Sequence, residues 1–165
     1  RYPWVGQPKK EIEAKIVKGV VDLVSENGEA MEGVEEVIQK IKKEGLPMAI
    51  ASSAPMDIIN AAMKRLGIRK DMKVIHSAEH ESYGKPHPGV YITTAEKLGI
   101  APEDCLVFED SPNGVLAAKA AKMKCIAVPD PKMREDKRFG IADLVLTSLK
   151  DFEMGILKNF TTFTL

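Results

Sequence analysis

Cys105-Leu106-Val107-Phe108-Glu109-Asp110-Ser111-Pro112-Asn113-Gly114 brings an apolar run, two adjacent carboxylates and a helix start into one short stretch. The run Cys105 to Phe108 is uniformly apolar and bounded by polar residues, which predicts a strand covered on both faces. Ser111 as N-cap with Pro112 at the first helical position predicts a helix running to Met123. Working outward, the order strand, polar loop, helix recurs. Met48 to Ala51 ends in Ser52-Ser53 and is followed by a helix from Met56 to Leu66, closed by Gly67. Val74-Ile75 is a short strand ahead of a helix from Gly89 to Leu98, closed by Gly99. Downstream, Ile126 to Val128 and Leu144 to Leu146 are the last strands. Apolar strands alternating with helices predict an α/β, doubly wound, mostly parallel Rossmann-like sheet.

Two helices precede this pattern. From Lys9 to about Val24, apolar residues recur at helical spacing until Asn27-Gly28 interrupts them. Gly33 introduces a second helix carrying Val34, Val37, Ile38 and Ile41, which stops at Gly45. The stretch at about residues 26 to 32 reads as a linker. The tail from Phe152 to Leu165 is weakly patterned and receives no element. Tyr2 and Trp4 read as packing residues of the leading segment, and Met48, Met56, Met63 and Met123 as core filling.

At 165 residues, with Lys and Arg (24) balanced by Asp and Glu (24), the chain suits one ordinary domain and has no basic stripe for nucleic acid or an anionic membrane. No apolar run approaches the roughly 20 residues needed to cross a bilayer. Cys105 and Cys125 sit in strand-type apolar surroundings and read as small buried hydrophobes, which fits a reducing cytoplasm. His76, His80 and His87 lack zinc-ligand spacing. The expected partner is a small molecule.

In parallel sheets, ligands bind beyond the carboxyl ends of the strands, and three such positions stand out. Glu109-Asp110 repel each other unless a cation lies nearby, and oxygen-only ligands suit magnesium; alternatively Asp110 and Ser111 only cap a helix. Ser52-Ser53 stand at a helix N-terminus, where hydroxyls and free amides hold phosphate; capping is again the alternative. Lys85, in Tyr83-Gly84-Lys85-Pro86-His87-Pro88, is barred from helical geometry by its proline and offers a compact positive charge to phosphate. A solvated loop lysine is the competing reading. The three gain weight from their order, each following its own strand.

In combination these residues resemble the haloacid dehalogenase superfamily, in its β-phosphoglucomutase-like branch with a helical cap and most closely its 2-deoxyglucose-6-phosphatase and hexitol-phosphatase type. Ile50-Ala51-Ser52-Ser53-Ala54-Pro55 looks like the family's second motif, Gly84-Lys85-Pro86-His87-Pro88 its third, and Phe108 to Gly114 its fourth. The resemblance implies a core over residues 29–152, part of a helical cap over residues 1–28, and an unassigned tail over residues 153–165. It implies that Ser52, Ser53, Lys85 and Asn113 bind the transferred phosphoryl group, with Ser52 and Lys85 also catalytic. Lys85 would neutralise that group and hold the nucleophile, and Asp110 and Glu109 would serve magnesium.

The family's first motif, a strand ending in Asp-x-Asp, has no match in this sequence. Its first Asp is the nucleophile and its second the general acid and base. In the family that strand lies between those bearing the second and fourth motifs, so the sheet is expected to have a central gap. With Arg1 in place of an initiator methionine, the expectation is a fragment of an active phosphatase, inactive alone and completed by an N-terminal segment. A sugar or polyol phosphatase leads. A sugar phosphomutase and a non-catalytic phosphate-binding or interaction module are the alternatives.

Overall fold

The computed structural model describes Gly6 and residues 8–160, apart from the side chains of Lys158 and Asn159. Tyr2, Trp4 and residues 161–165 lie outside the described residues. The helices are α1 (Lys9–Asn27), α2 (Val34–Lys43), α3 (Met56–Leu66), α4 (Gly89–Leu98) and α5 (Pro112–Ala120). The strands are β1 (Met48–Ser52), β2 (Met72–Ser77), β3 (Leu106–Glu109), β4 (Lys124–Ala127) and β5 (Leu144–Val145). Two of the expected helices, α3 and α4, have the predicted bounds, each stopped by a left-handed glycine, Gly67 or Gly99.

Every strand pair is parallel, with β1 on β2, β3 on β4 and β4 on β5. The strands form two sheets, ordered β1-β2 and β3-β4-β5. Among the described residues no ladder joins β1 to β3, so the sheet divides where the family resemblance implies a gap. Several predicted bounds need correction: β4 spans Lys124–Ala127 rather than Ile126–Val128, β5 ends at Val145 rather than Leu146, and three others differ as follows. The strand at Val74-Ile75 extends over Met72–Ser77 because it follows β1 for its whole length. The strand begun at Cys105 runs instead from Leu106 through Glu109, whose partner in β4 is Ala127. The helix from Pro112 ends at Ala120 rather than Met123, where Lys122 takes a left-handed conformation and turns the chain into β4.

Three apolar clusters hold these layers. One joins α4 and α5 to β3 and β4 through Val90, Tyr91, Val107, Val115 and Cys125. A second gathers Val37, Ile126 and Phe152 with Phe108, and a third packs Ile59 and Met63 of α3 on Met72. As far as Phe160, the tail that the sequence leaves unassigned belongs to the second cluster: Phe152 is fully buried, Met154, Ile156, Leu157 and Phe160 pack against that cluster, and the Phe152 ring meets Phe108 edge-on at 5.0 Å. Cys125 is buried, and burial pushes its thiol up to about 12. Cys105 is only half-buried, its sulfur near the Ala101 carbonyl, so the expectation of full burial holds for one cysteine of the two. No helix among the described residues is long and apolar enough to cross a membrane.

Phe152→Ala should destabilise the fold by about 3–5 kcal/mol, because it empties a fully enclosed aromatic site between α2, β3 and the tail. Urea unfolding followed by circular dichroism measures the loss, and a change under about 1 kcal/mol would show that the tail does not close the core.

Candidate active site at the ends of β1 and β3

Lys85 follows β2, and its ammonium reaches across to both sheets. Nζ lies 3.2 Å from the Ala51 carbonyl of β1, 2.8 Å from the Tyr91 hydroxyl and 2.5 Å from Glu109 Oε1 at the end of β3. It also sits 4.5 Å from the centre of the Tyr91 ring. The Lys85–Glu109 pair is largely buried, with side chains 11% and 7% exposed. An ion pair so placed is tolerated only when its remaining donors and acceptors are also satisfied. They are. Tyr91 Oη donates to Glu109 Oε1, while the Ser111 amide and hydroxyl donate to Oε2 at 3.3 and 3.1 Å.

Ser111 works in both directions. It caps α5 as predicted, its Oγ accepting from the Gly114 amide at 3.0 Å, and the same hydroxyl donates to Glu109. Capping and site building are therefore one arrangement. Glycine is required at 114 because a Cβ there would lie 1.9 Å from the Glu109 carboxylate.

A cavity of about 440 Å³ opens beside this pair, lined by Ser53, Lys85, Ser111, Pro112, Asn113, Met133 and Arg138. Three sequence-predicted residues, Ser53, Lys85 and Asn113, thus share one cavity. Ser52, Glu109 and Asp110 do not line it. Ser52 turns its Oγ to the Ala54 amide at 3.1 Å, Glu109 lies behind Lys85, and Asp110 is exposed at the adjacent corner. Among the described residues the Asp110 and Asn113 side chains have no partner.

Two kinds of residue escape the sequence reading. Tyr91 lies in α4, and nothing in its sequence spacing announces that its hydroxyl bridges Lys85 and Glu109. Met133 and Arg138 come from the charged loop after β4, which in sequence looks like any solvated connection. Arg138 is held by Asp136, with Nη2 2.6 Å from Oδ2, and that pairing holds the Asp136 carboxyl below the usual range.

The donor set suits a magnesium ion in part. The Asp110 side chain has no hydrogen-bond partner among the described residues, whereas both Glu109 oxygens are already engaged, so of the two carboxylates only Asp110 could take a metal directly in this arrangement. Among the described residues no group of three or more His, Cys, Asp or Glu could enclose a metal. Magnesium keeps several waters and takes substrate oxygens, so a single protein carboxylate can contribute to such a site without enclosing it.

The family description haloacid dehalogenase-like hydrolase matches residues 2–122. The chain is 37% identical over 151 residues to hexitol phosphatase B of Escherichia coli, covering 92% of this chain and 68% of that protein. Among solved structures it is similar to CbbY from Rhodobacter sphaeroides in complex with phosphate, with TM-score 0.82 and 28% identity over 89% of this chain and 67% of that one. Its fold also matches β-phosphoglucomutase from Clostridium difficile, with TM-score 0.75 and 22% identity over 92% of this chain and 64% of that one. The chain thus spans about two thirds of the length of these relatives.

Burial, followed by the neighbouring Glu109 carboxylate, raises the Tyr91 phenol above its ordinary value. Ionisation is then easier in the unfolded chain, so the phenol's contribution to stability is full below about pH 10 and declines above it. Tyr91→Phe should remove that part of the alkaline decline, read as the unfolding free energy between about pH 9 and 11. Gly114→Ala should cost about 1–3 kcal/mol or more by forcing the Glu109 carboxylate aside; thermal unfolding unchanged within a degree would contradict the packing described.

Proposed function

Because this chain belongs to the haloacid dehalogenase-like hydrolases, we propose that it forms the larger part of a magnesium-dependent phosphatase for a small sugar or polyol phosphate. One observation carries the reading: the Lys85 ammonium stands on the wall of the cavity it shares with Ser53 and Asn113, with Glu109 behind it. Hydroxyl, amide and ammonium groups gathered at strand ends suit a phosphoryl group, whose transfer depends mainly on positioning and charge neutralisation. The hexitol phosphatase relative supports the polyol phosphate as substrate.

In this reading the Ser53 hydroxyl and amide hydrogen-bond the phosphoryl oxygens, and Ser52 shapes the turn that presents them. Lys85 neutralises charge developing on those oxygens, and its contact with the Ala51 carbonyl, at 3.2 Å the longest of its three, is the one that yields to the ligand. Asn113 hydrogen-bonds from the start of α5. Met133 and Arg138 face the remainder of the substrate. Asp110 would hold the magnesium ion, which when bound supplies positive charge opposite the transferring group, while Glu109 holds Lys85 and Ser111 in place. Residues 1–28, of which α1 packs on α3, would belong to a helical cap over the core at residues 29–152. The two free cysteines fit a cytosolic setting.

No residue described here supplies the nucleophile. We read it as an aspartate on a strand pairing with the facing edges of β1 and β3, which have no ladder to each other among the described residues. That aspartate would attack phosphorus, form an aspartyl phosphate and release the alcohol, and water would then cleave the acyl phosphate.

Assayed alone with p-nitrophenyl phosphate and magnesium, the 165-residue chain should show no turnover. Joined to an upstream strand carrying Asp-x-Asp, it should turn over, with activity lost on adding a chelator and lowered at least about 100-fold by Lys85→Ala. Turnover by the isolated chain that survives Lys85→Ala would sink this assignment.

A further inference from the structure

Two consecutive residues near the end of β2, His76 and Ser77, are polar yet only 2% and 0% exposed, and neither lines the cavity. Consecutive strand side chains point to opposite faces, so the two address different neighbours.

Ser77 Oγ donates to the Ala54 carbonyl at 2.6 Å and accepts from the Glu79 amide at 3.1 Å. Glu79 Oε2 in turn accepts from the Met56 amide at 3.2 Å, at the start of α3. These bonds fix the turn that carries Ser52 and Ser53. On the other face, His76 Nε2 is 2.6 Å from Glu81 Oε1 and Nδ1 is 2.9 Å from Lys97 Nζ. An ammonium only donates, so Nδ1 accepts and the ring proton lies on Nε2, directed at Glu81. The bond from His76, with a second from Thr93, holds the Glu81 carboxyl below its ordinary value. Glu81 also packs against Gly89 at the start of α4, where a Cβ would lie 2.6 Å from Oε2. The segment carrying Lys85 is therefore tied to β2 and α4 through Glu81.

We propose that His76 and Ser77 form a two-faced brace, a pair of positioning residues that set the Ser52–Ser53 turn and the Lys85 segment at a fixed separation across the phosphate cavity. Lys97 belongs to it by holding the imidazole in one tautomer. The proposal rests on the phosphate-site reading, because it explains how that site is preorganised. A purely structural pair of buried polar residues would change stability and leave Lys85 where it is.

The test uses the 165-residue chain with inorganic phosphate, measured by calorimetry, and the ¹⁵N signal of the Lys85 ammonium, which its three partners should protect from exchange. Glu81→Ala and Ser77→Ala should each weaken phosphate binding about tenfold and broaden the Lys85 signal, whereas Glu81→Gln, which still accepts from His76, should stay within about twofold. Lys97→Met, a change at an exposed position, should leave the fold intact and replace the single His76 tautomer by a mixture in ¹⁵N spectra. Wild-type affinity and an unchanged Lys85 signal in Glu81→Ala and Ser77→Ala would overturn the brace. Phosphate binding that is absent in the wild type or survives Lys85→Ala would overturn the phosphate reading instead, and the Lys85 signal would then decide the brace alone. If Ser77→Ala fails to fold, the Glu81→Ala and Glu81→Gln pair decides.

Discussion

Lys85 and Glu109 lie 24 positions apart in sequence and meet at 2.5 Å beyond the ends of strands that belong to different sheets. The contact matters because no backbone ladder joins β1 to β3 among the described residues, so side chains carry the polar link between the two halves. A buried charge pair usually gains little over apolar packing, since desolvation offsets most of the attraction. This pair is retained at a strand end, beside a cavity, with every other donor and acceptor around it answered. A buried charge pair at a strand end beside a cavity marks a candidate functional site rather than a source of stability.

The polar groups are matched to one another with little to spare. Tyr91 bridges the ion pair, Ser111 serves the helix cap and the carboxylate together, and Gly114 leaves the room that the carboxylate occupies. Every fully buried side-chain nitrogen or oxygen among the described residues has a partner. Such networks rigidify when complete and are costly when one member is lost. The groups without partners lie instead on the exposed side, at Asp110 and Asn113.

Apolar packing supplies what this network cannot. The cluster under α4 and α5 seats Tyr91 and fixes the height of β3, and the cluster closed by Phe152 covers the opposite face. Between them β1 and β2 are set in register, β3 stands in the neighbouring sheet, and the bonds of His76 and Ser77 reach from β2 to Glu81 and to the Ala54 carbonyl.

The local pattern of the sequence was enough for the elements and the side of the sheet on which the cavity lies. Short apolar runs, glycine stops at Gly67 and Gly99, and the Ser111-Pro112 start are signals that act within a few residues, and the helices and strands follow them closely. The motif resemblance likewise pointed to Ser53, Lys85 and Asn113, which share the cavity. What tertiary structure alone decided concerns pairs far apart in the chain. Sequence does not disclose that Glu109 is consumed by Lys85, that Tyr91 leaves the core through its hydroxyl, that Arg138 reaches the cavity, or that Phe152 anchors the tail. The physical reason is that capping and periodicity are local, whereas the partner of a buried charge or ring depends on which strands lie side by side. That adjacency is set by packing of the whole chain.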